Sequence, residues 1–223
     1  MDGSGEFFAP FAAELAPELE PLVVSYPLSE LGYGELAAHA RKALPARPYI
    51  LVGESFSGPI AISLAASAPP GLLGVVLVCS FARSPLPWLS RFLPFAPPVW
   101  WLPEAIAARM LLGRFSTPEY SRLLASSIKR VTPAVWRSRL RAVKEVDVTA
   151  QLARIKVPIL YLRASLDRLV PRAASDWVLR HAKDATPVDL EGPHFLLQAR
   201  PREAAAHVKA FAQRCNLNAT GAQ

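Results

Sequence analysis

Hydrophobic positions along the chain alternate between short unbroken apolar runs and longer stretches with helical spacing. The runs predict five buried strands, at 22–26, 49–52, 74–79, 157–162 and 186–190. The helical spacing predicts helices at 7–15, 33–44, 59–68, 172–181 and 201–214. Strands that read as continuous apolar runs and alternate with helices are typical of a parallel sheet covered on both faces. We therefore predict an α/β fold with a mostly parallel sheet.

Residues 81–146 interrupt this alternation. Prolines crowd the stretch 85–103, and no strand pattern occurs between 81 and 146. Helical spacing returns at 104–112, 118–129 and 133–144. We predict a core formed by 1–80 and 147–223, with 81–146 as a helical insertion above the sheet.

Composition limits the kind of protein this is. With 223 residues, 52% of them hydrophobic and 19% charged, the chain is expected to form one globular unit. The net charge is +7, but no basic cluster is interleaved with aromatic residues, so we expect no nucleic-acid partner. The apolar stretches are shorter than the ~20 residues of a membrane span. Without a secretory signal pattern, we expect a cytoplasmic protein with two free cysteines, Cys79 and Cys215.

A strand, a sharp turn and a helix follow one another between residues 48 and 70, where the turn reads GESFSG. Such a turn holds a serine hydroxyl clear of the sheet, at the start of a helix, and needs small residues on either side. Gly53 and Ser57 occupy those flanking positions around Ser55. Ser55 is therefore a candidate nucleophile.

An acid and a base follow two later strands. Asp167 lies in the turn after the strand at 157–162, and His194 follows the strand at 186–190. The carboxyl ends of parallel strands share one edge of a sheet, so these side chains are expected near Ser55. A serine needs a base to take its proton, and an aspartate fixes the orientation of that histidine. The order Ser, Asp, His is that of α/β-hydrolase triads.

Other polar residues carry less chemistry. The remaining histidines, His39, His181 and His207, have no carboxylate or thiol partners at ligand spacing, so no metal is predicted. Glu54 precedes Ser55, and we expect a structural or solvated role for it and not that of a general acid.

Four segments together resemble the α/β-hydrolases of the esterase-like group that includes the pimeloyl-carrier-protein methyl ester carboxylesterases. The segments are DGSGEFFAPFAAEL, GESFSGPIAISLA, KVPILYLRASLDRLVP and EGPHFLLQARP. The resemblance implies an α/β-hydrolase fold in which residues 81–146 are the variable cap. It also implies Ser55 as nucleophile, His194 as base and Asp167 as its orienting acid, with no metal or organic cofactor.

The chain departs from the family pattern in two places. Ser57 replaces the second glycine of the turn. Family members also have strands and a Leu-Pro-Gly type loop before the DGSG segment, and that loop supplies one oxyanion N–H. The resemblance therefore implies oxyanion donors at Phe56 and at Met1, and we expect an N-terminally truncated chain with low solubility or weak activity. Adding upstream codons is expected to restore ester hydrolysis.

These features predict hydrolysis of a small apolar ester through an acyl-enzyme. Acyl transfer or thioester cleavage on the same residues stays open, as does a non-catalytic binding protein lacking the oxyanion strand. The substrate pocket is predicted to be roofed by aromatic residues of the insertion, Trp88, Phe92, Trp100 and Trp101. Eight basic residues of the insertion are expected to form a solvated helix face. The alternative is a surface that steers an acidic acyl carrier protein. The eight residues are Arg109, Arg114, Arg122, Lys129, Arg130, Arg137, Arg139 and Arg141.

Overall fold

A four-stranded parallel sheet lies at the centre of the computed structural model, which describes residues 3–16, 18–85 and 104–220. The strands are hydrogen-bonded in chain order, and every neighbouring pair is parallel. They are β1 (Tyr49–Glu54), β2 (Leu72–Val78), β3 (Ile159–Ala164) and β4 (Ala185–Leu190). The predicted α/β class is confirmed, and the sequence located these four strands to within about two residues.

Helices lie on either side of the strands along the chain. They are α1 (Ala9–Leu15), α2 (Tyr33–Arg41), α3 (Gly58–Ala65), α4 (Glu104–Leu111), α5 (Pro118–Arg130), α6 (Pro133–Glu145), α7 (Thr149–Leu152), α8 (Arg172–His181), α9 (Leu196–Ala199) and α10 (Pro201–Thr220). Helices α4 to α6 lie within the predicted insertion. The expected helices are all present. Helices α7 and α9 were not predicted, because an element of four residues carries too little periodicity to be recognised.

Both faces of the sheet are covered, as the unbroken apolar strands require. Val75 and Leu77 of β2 pack into one cluster with residues of α3, α7 and α8. Val76 and Val78, which point to the opposite face, pack into a second cluster with residues of α1, α9 and α10. All four side chains are fully buried. Burial on both faces holds the carboxyl ends of the strands at fixed positions, and the candidate residues follow those ends.

The outer edge of β1 is one of the two outer edges of this sheet. Within the described ranges no strand pairs with that edge, and Val52 is 37% exposed. The predicted strand at 22–26 is wrong: this stretch contains no regular strand, and Leu22 is 63% exposed. Tyr26 N–H donates to the carbonyl of Gly3 at 2.8 Å. An apolar segment becomes a strand only beside a partner, and no described segment offers 22–26 a ladder.

Helices α4 and α5 pack against the segment that carries His194. Ala107, Ala108 and Leu124 form a buried cluster with Phe7, and Phe195 packs against it. The rings of Phe7 and Phe195 meet edge to face with centroids 5.4 Å apart. This packing holds the two helices over the carboxyl edge of the sheet. Among the helices described, none has the length and apolar character needed to span a membrane.

Candidate active site

Ser55 occupies a strained turn between β1 and α3. Its φ of +51° lies in the left-handed region, which side chains other than glycine rarely adopt. The 3-10 turn Ser55–Ser57 leads directly into α3. A Cβ on Gly53 would lie 2.9 Å from the carbonyl oxygen of Ser57, so the close approach of strand and helix requires glycine there. The turn therefore has the geometry that the GESFSG pattern predicts.

Ser80 holds the backbone of this turn from the neighbouring strand. Its side chain is fully buried just beyond the end of β2, and its hydroxyl donates to the carbonyl of Ser55 at 2.8 Å. A Cβ on Gly58 would lie 1.6 Å from the Ser80 hydroxyl oxygen. Glycine at 58 therefore makes room for the serine that restrains Ser55. This contact is not predicted by the sequence pattern.

Three side chains from different strand ends form a continuous hydrogen-bonded chain. The hydroxyl oxygen of Ser55 lies 2.7 Å from Nε2 of His194. Nδ1 of His194 lies 2.9 Å from a carboxylate oxygen of Asp167. The side chains of His194 and Asp167 are 3% and 6% exposed. With the proton on Nδ1 donated to Asp167, Nε2 is left to accept from the Ser55 hydroxyl.

The loop after β3 fixes Asp167 in place. One carboxylate oxygen accepts hydrogen bonds from the backbone N–H groups of Leu169 and Val170, at 2.8 and 2.9 Å. The other oxygen is then directed at His194. The thiol of Cys79 lies near this carboxylate. Burial raises the pKa of Cys79 well above its usual range, and the charge of Asp167 raises it further, so this thiol stays protonated.

Glu54 is a buried carboxyl group next to Ser55 in the chain. Its two oxygens accept from the backbone N–H of Leu197 at 3.2 Å and from the side-chain amide of Gln198 at 3.0 Å. Burial raises the pKa of Glu54, while these two hydrogen bonds and the nearby His194 oppose the rise. A structural role agrees with the prediction made for Glu54, whereas the expected solvation does not, because the residue is 8% exposed.

Phe56 follows Ser55 in the turn and is buried, with its ring stacked on that of Tyr33 at 4.8 Å between centroids. Backbone N–H groups at the start of a helix have no partner within that helix, and the N–H of Phe56 lies at such a position before α3. The expected second oxyanion donor at Met1 lies outside the described residues. So do the pocket residues predicted in the insertion, Trp88, Phe92, Trp100 and Trp101.

A cavity of about 810 Å³ opens beside Ser55 and His194. One end is walled by residues of the N-terminal turn, of α4 and α5 and of the His194 segment, and the cavity continues along the exposed edge of β1. Most of its walls are apolar. The apolar lining includes Phe7, Phe56, Leu111, Leu124, Ile128 and Phe195. The sequence analysis did not find these wall residues, which come from segments far apart in the chain.

The eight basic residues predicted to form a solvated face, which lie in α4 to α6 or in the turn after α4, behave in two ways. Seven of the eight are exposed, which agrees with the expected solvated face, and two of these form ion pairs: Arg130 with Glu6, and Arg114 with Glu191. Arg139 departs from the expectation because it is 1% exposed. Its guanidinium donates to the carbonyl of Pro27 at 2.9 Å and lies over the ring of Phe56. Arg139 therefore packs α6 onto the core.

In the part of the chain that the structure describes, no three His, Cys, Asp or Glu side chains converge in a way that could bind a metal ion.

Comparison with known proteins identifies relatives in sequence. Residues 33–192, more than half of the chain, match the family model described as serine aminopeptidase, S33. A pimeloyl-[acyl-carrier protein] methyl ester esterase from Nitrosomonas europaea is 30% identical over 162 residues. That match covers 62% of this chain and 60% of the relative, so it spans less than two thirds of the relative's length.

Solved structures share the fold. A hydrolase from Oleispira antarctica superposes with a TM-score of 0.81 at 14% identity, covering 96% of this chain and 88% of that one. An enol-lactonase from Burkholderia xenovorans gives a TM-score of 0.73 at 18% identity, covering 95% and 88%. At such identities the likeness concerns the fold alone. Together with the family match, it shows that this chain belongs to the serine aminopeptidase S33 family of α/β-hydrolases.

Proposed function

We propose that this α/β-hydrolase cleaves carboxylic esters with an apolar acyl or alkyl group, through an acyl-enzyme formed on Ser55. The observation that carries the proposal is the chain of hydrogen bonds from Ser55 to His194 at 2.7 Å and from His194 to Asp167 at 2.9 Å. A nucleophile, a base and a group that orients the base are what acyl transfer to a serine requires.

The first half of the reaction forms the acyl-enzyme. Nε2 of His194 takes the hydroxyl proton as Ser55 Oγ attacks the ester carbonyl, and Asp167 stabilises the imidazolium that results. Collapse of the tetrahedral intermediate breaks the bond between the carbonyl carbon and the alcohol oxygen. The leaving alcohol receives the proton from His194. In the second half, water attacks the acyl group, again with His194 as base, and releases the acid and Ser55.

Negative charge on the carbonyl oxygen needs hydrogen-bond donors during both halves. We assign one donor to the backbone N–H of Phe56, which follows Ser55 at the start of α3. The second is proposed to come from the N-terminal segment, where the sequence analysis placed it at Met1. One such donor is worth roughly 2.7–4 kcal/mol of transition-state stabilisation.

The apolar cavity beside Ser55 supports the choice of substrate. Its lining includes aromatic and aliphatic side chains, among them Phe7, Leu124 and Phe195, and Phe195 directly follows His194. Such walls favour burial of an apolar chain at roughly 0.8 kcal/mol for each buried methylene group. We therefore expect kcat/KM to rise with acyl length until the cavity beside Ser55 is filled.

An ester panel tests the proposal. The chain and its Ser55→Ala variant are assayed on p-nitrophenyl esters from acetate to dodecanoate. The proposal predicts hydrolysis by the unaltered chain, with a preference for medium chains, and none above background by Ser55→Ala. Equal rates for both chains would overturn it. Adding methanol or hydroxylamine at one acyl length distinguishes hydrolysis from acyl transfer, because a transferase diverts most of the acyl group to the added acceptor.

The acyl group is further proposed to be carried by an acidic carrier protein. The similar esterase of Nitrosomonas europaea is named for an acyl-carrier-protein substrate. Exposed basic residues on α5 and α6, among them Arg122, Arg137 and Arg141, offer complementary charge. If so, KM for a carrier-linked methyl ester will rise with salt, while KM for the free methyl ester will not. The same salt dependence for both substrates would overturn this extension.

A further inference from the structure

The nucleophile and the base are joined by a second connection besides their own hydrogen bond. Glu54 immediately precedes Ser55 at the end of β1, while Leu197 and Gln198 lie on α9, three and four residues after His194. The carboxylate of Glu54 accepts from the Leu197 N–H at 3.2 Å and from the Gln198 amide at 3.0 Å. One side chain therefore ties the Ser55 turn to the helix that follows His194.

We infer that Glu54 is a positioning residue that keeps the imidazole of His194 within reach of the Ser55 hydroxyl; the inference rests on the proposed function of these two residues. Two acceptor atoms on one carboxyl group fix both the position and the rotation of α9 relative to the turn. Movement of α9 by about an ångström would lengthen the 2.7 Å contact between Ser55 and His194. Misplacement on that scale can cost about 100-fold in rate.

The buried environment makes this connection rigid. Glu54 and Gln198 are 8% and 3% exposed, so water does not readily replace either hydrogen bond. The backbone carbonyl of Gln198 also accepts from the Tyr120 hydroxyl at 3.0 Å. Gln198 thus connects Glu54 to α5, which lines the cavity. Displacement of Gln198 would therefore disturb both its contact with Glu54 and its contact with α5.

Two substitutions of Glu54 separate positioning from mere filling of space. Glu54→Leu keeps a side chain of similar size but removes both acceptor atoms. Glu54→Gln keeps one oxygen for the Leu197 N–H and offers its amide N–H₂ to Gln198. The Gln198 amide can turn to accept it, since its own oxygen is buried without a hydrogen-bond partner in the described residues.

A control removes a partly buried hydrogen bond elsewhere. The indole N–H of Trp177 donates to the hydroxyl of Thr149 at 3.0 Å, and neither residue belongs to the site. Thr149→Val is expected to lower stability while leaving the reactivity of Ser55 unchanged. Gln198→Leu removes one of the two hydrogen bonds of Glu54 and gives an intermediate case.

The experiment measures the rate of Ser55 modification by a fluorophosphonate, together with kcat and KM on a short-chain ester, in samples whose folding is checked by circular dichroism. We expect Glu54→Leu to lower the modification rate and kcat by about tenfold or more, with KM within about twofold. Glu54→Gln is expected to stay within about threefold of the unaltered chain. The double variant Glu54→Leu/Gln198→Leu should be no worse than Glu54→Leu alone.

Each result has one consequence. Normal modification rates in folded Glu54→Leu would overturn the inference alone and leave the proposed function standing. Equal losses in Glu54→Leu and Glu54→Gln, or a loss in Thr149→Val as large as in Glu54→Leu, would also overturn it. A folded unaltered chain that neither reacts with the fluorophosphonate nor hydrolyses any ester would overturn the proposed function, and this inference with it.

Discussion

The hydroxyl of Ser80 donates a 2.8 Å hydrogen bond to the carbonyl oxygen of Ser55, across from the end of β2 to the turn after β1. The accepting residue has a φ of +51°, an unfavourable conformation for a side chain other than glycine. A backbone held in that conformation needs support from its surroundings. Ser80 supplies part of it.

Replacing Ser80 by alanine tests this support. Ser80→Ala leaves the carbonyl of Ser55 with the backbone N–H of Gly58 as its remaining donor. Because one of two hydrogen bonds is lost, we expect a loss of about 0.5–1.5 kcal/mol in the free energy of unfolding. We also expect slower modification of Ser55 by a fluorophosphonate. Ser175→Ala is the control, because this buried serine donates to the carbonyl of Arg172 on α8, outside the site. Ser175→Ala should lose stability without slowing the modification; equal slowing in both variants would contradict the account.

Gly58 is predicted to be intolerant of even one added methyl group. In Gly58→Ala the new Cβ would lie 1.6 Å from the Ser80 hydroxyl oxygen and 2.6 Å from its Cβ. We expect a loss of at least about 1–3 kcal/mol in the free energy of unfolding, measured in urea. The double variant Gly58→Ala/Ser80→Gly should recover part of it, because both clashing atoms are gone. No recovery would mean that the clash with Ser80 is not the cause.

A second glycine provides the control for that measurement. A Cβ on Gly34, in α2, meets no other atom within 4 Å. Gly34→Ala is therefore expected to be neutral or to stabilise the protein by up to about 1 kcal/mol, since alanine favours a helix. A large loss in Gly34→Ala would show that the urea assay does not report local packing.

Replacing Asp167 by asparagine is expected to abolish most activity while preserving the loop. The amide oxygen can still accept from Leu169 and Val170, which turns the N–H₂ group toward Nδ1 of His194. Nδ1 then accepts, the proton moves to Nε2, and His194 can no longer take the proton of Ser55. We expect kcat to fall about 10³- to 10⁴-fold. Asp176→Asn, which affects an ion pair with Arg163, is the control and should retain activity.

The raised pKa of Glu54 predicts that the free energy of unfolding depends on pH. Burial raises the pKa of this carboxyl above its ordinary value of 4.5. The unfolded chain releases this proton first, so the contribution of Glu54 to the free energy of unfolding falls as pH rises from about 4.5 toward the raised pKa, and is constant above it. Glu54→Gln removes this dependence. Urea unfolding between pH 4 and pH 8 should show Glu54→Gln gaining stability relative to the unaltered chain as pH rises; a difference independent of pH would contradict the raised pKa.

The sequence predicted the sheet and most helices because their signals are local. The apolar run of β2 and the helical spacing of α8 each depend on neighbours within a few residues. The stretch at 22–26 also looked like a strand, but strand formation depends on a partner elsewhere in the chain, which a local pattern does not report. The same limit explains why the four-residue helices α7 and α9 were missed.

In the site, the sequence predicted which residues meet but not what holds them. Ser55, Asp167 and His194 were expected together because each follows the end of a parallel strand. Glu54 and Gln198 are 144 positions apart in the chain, and Ser80 and Ser55 follow two neighbouring strands. Such contacts depend on the packed fold and leave no spacing that can be read along the chain.

The central claim is that Ser55 is the nucleophile, and the most direct test is to locate the adduct of a fluorophosphonate by peptide mass spectrometry. Ser57, two residues away in the same turn, provides the matched control. The account predicts one adduct per chain, on Ser55, retained in Ser57→Ala and absent in Ser55→Ala. An adduct on another residue, or labelling that persists in folded Ser55→Ala, would contradict it.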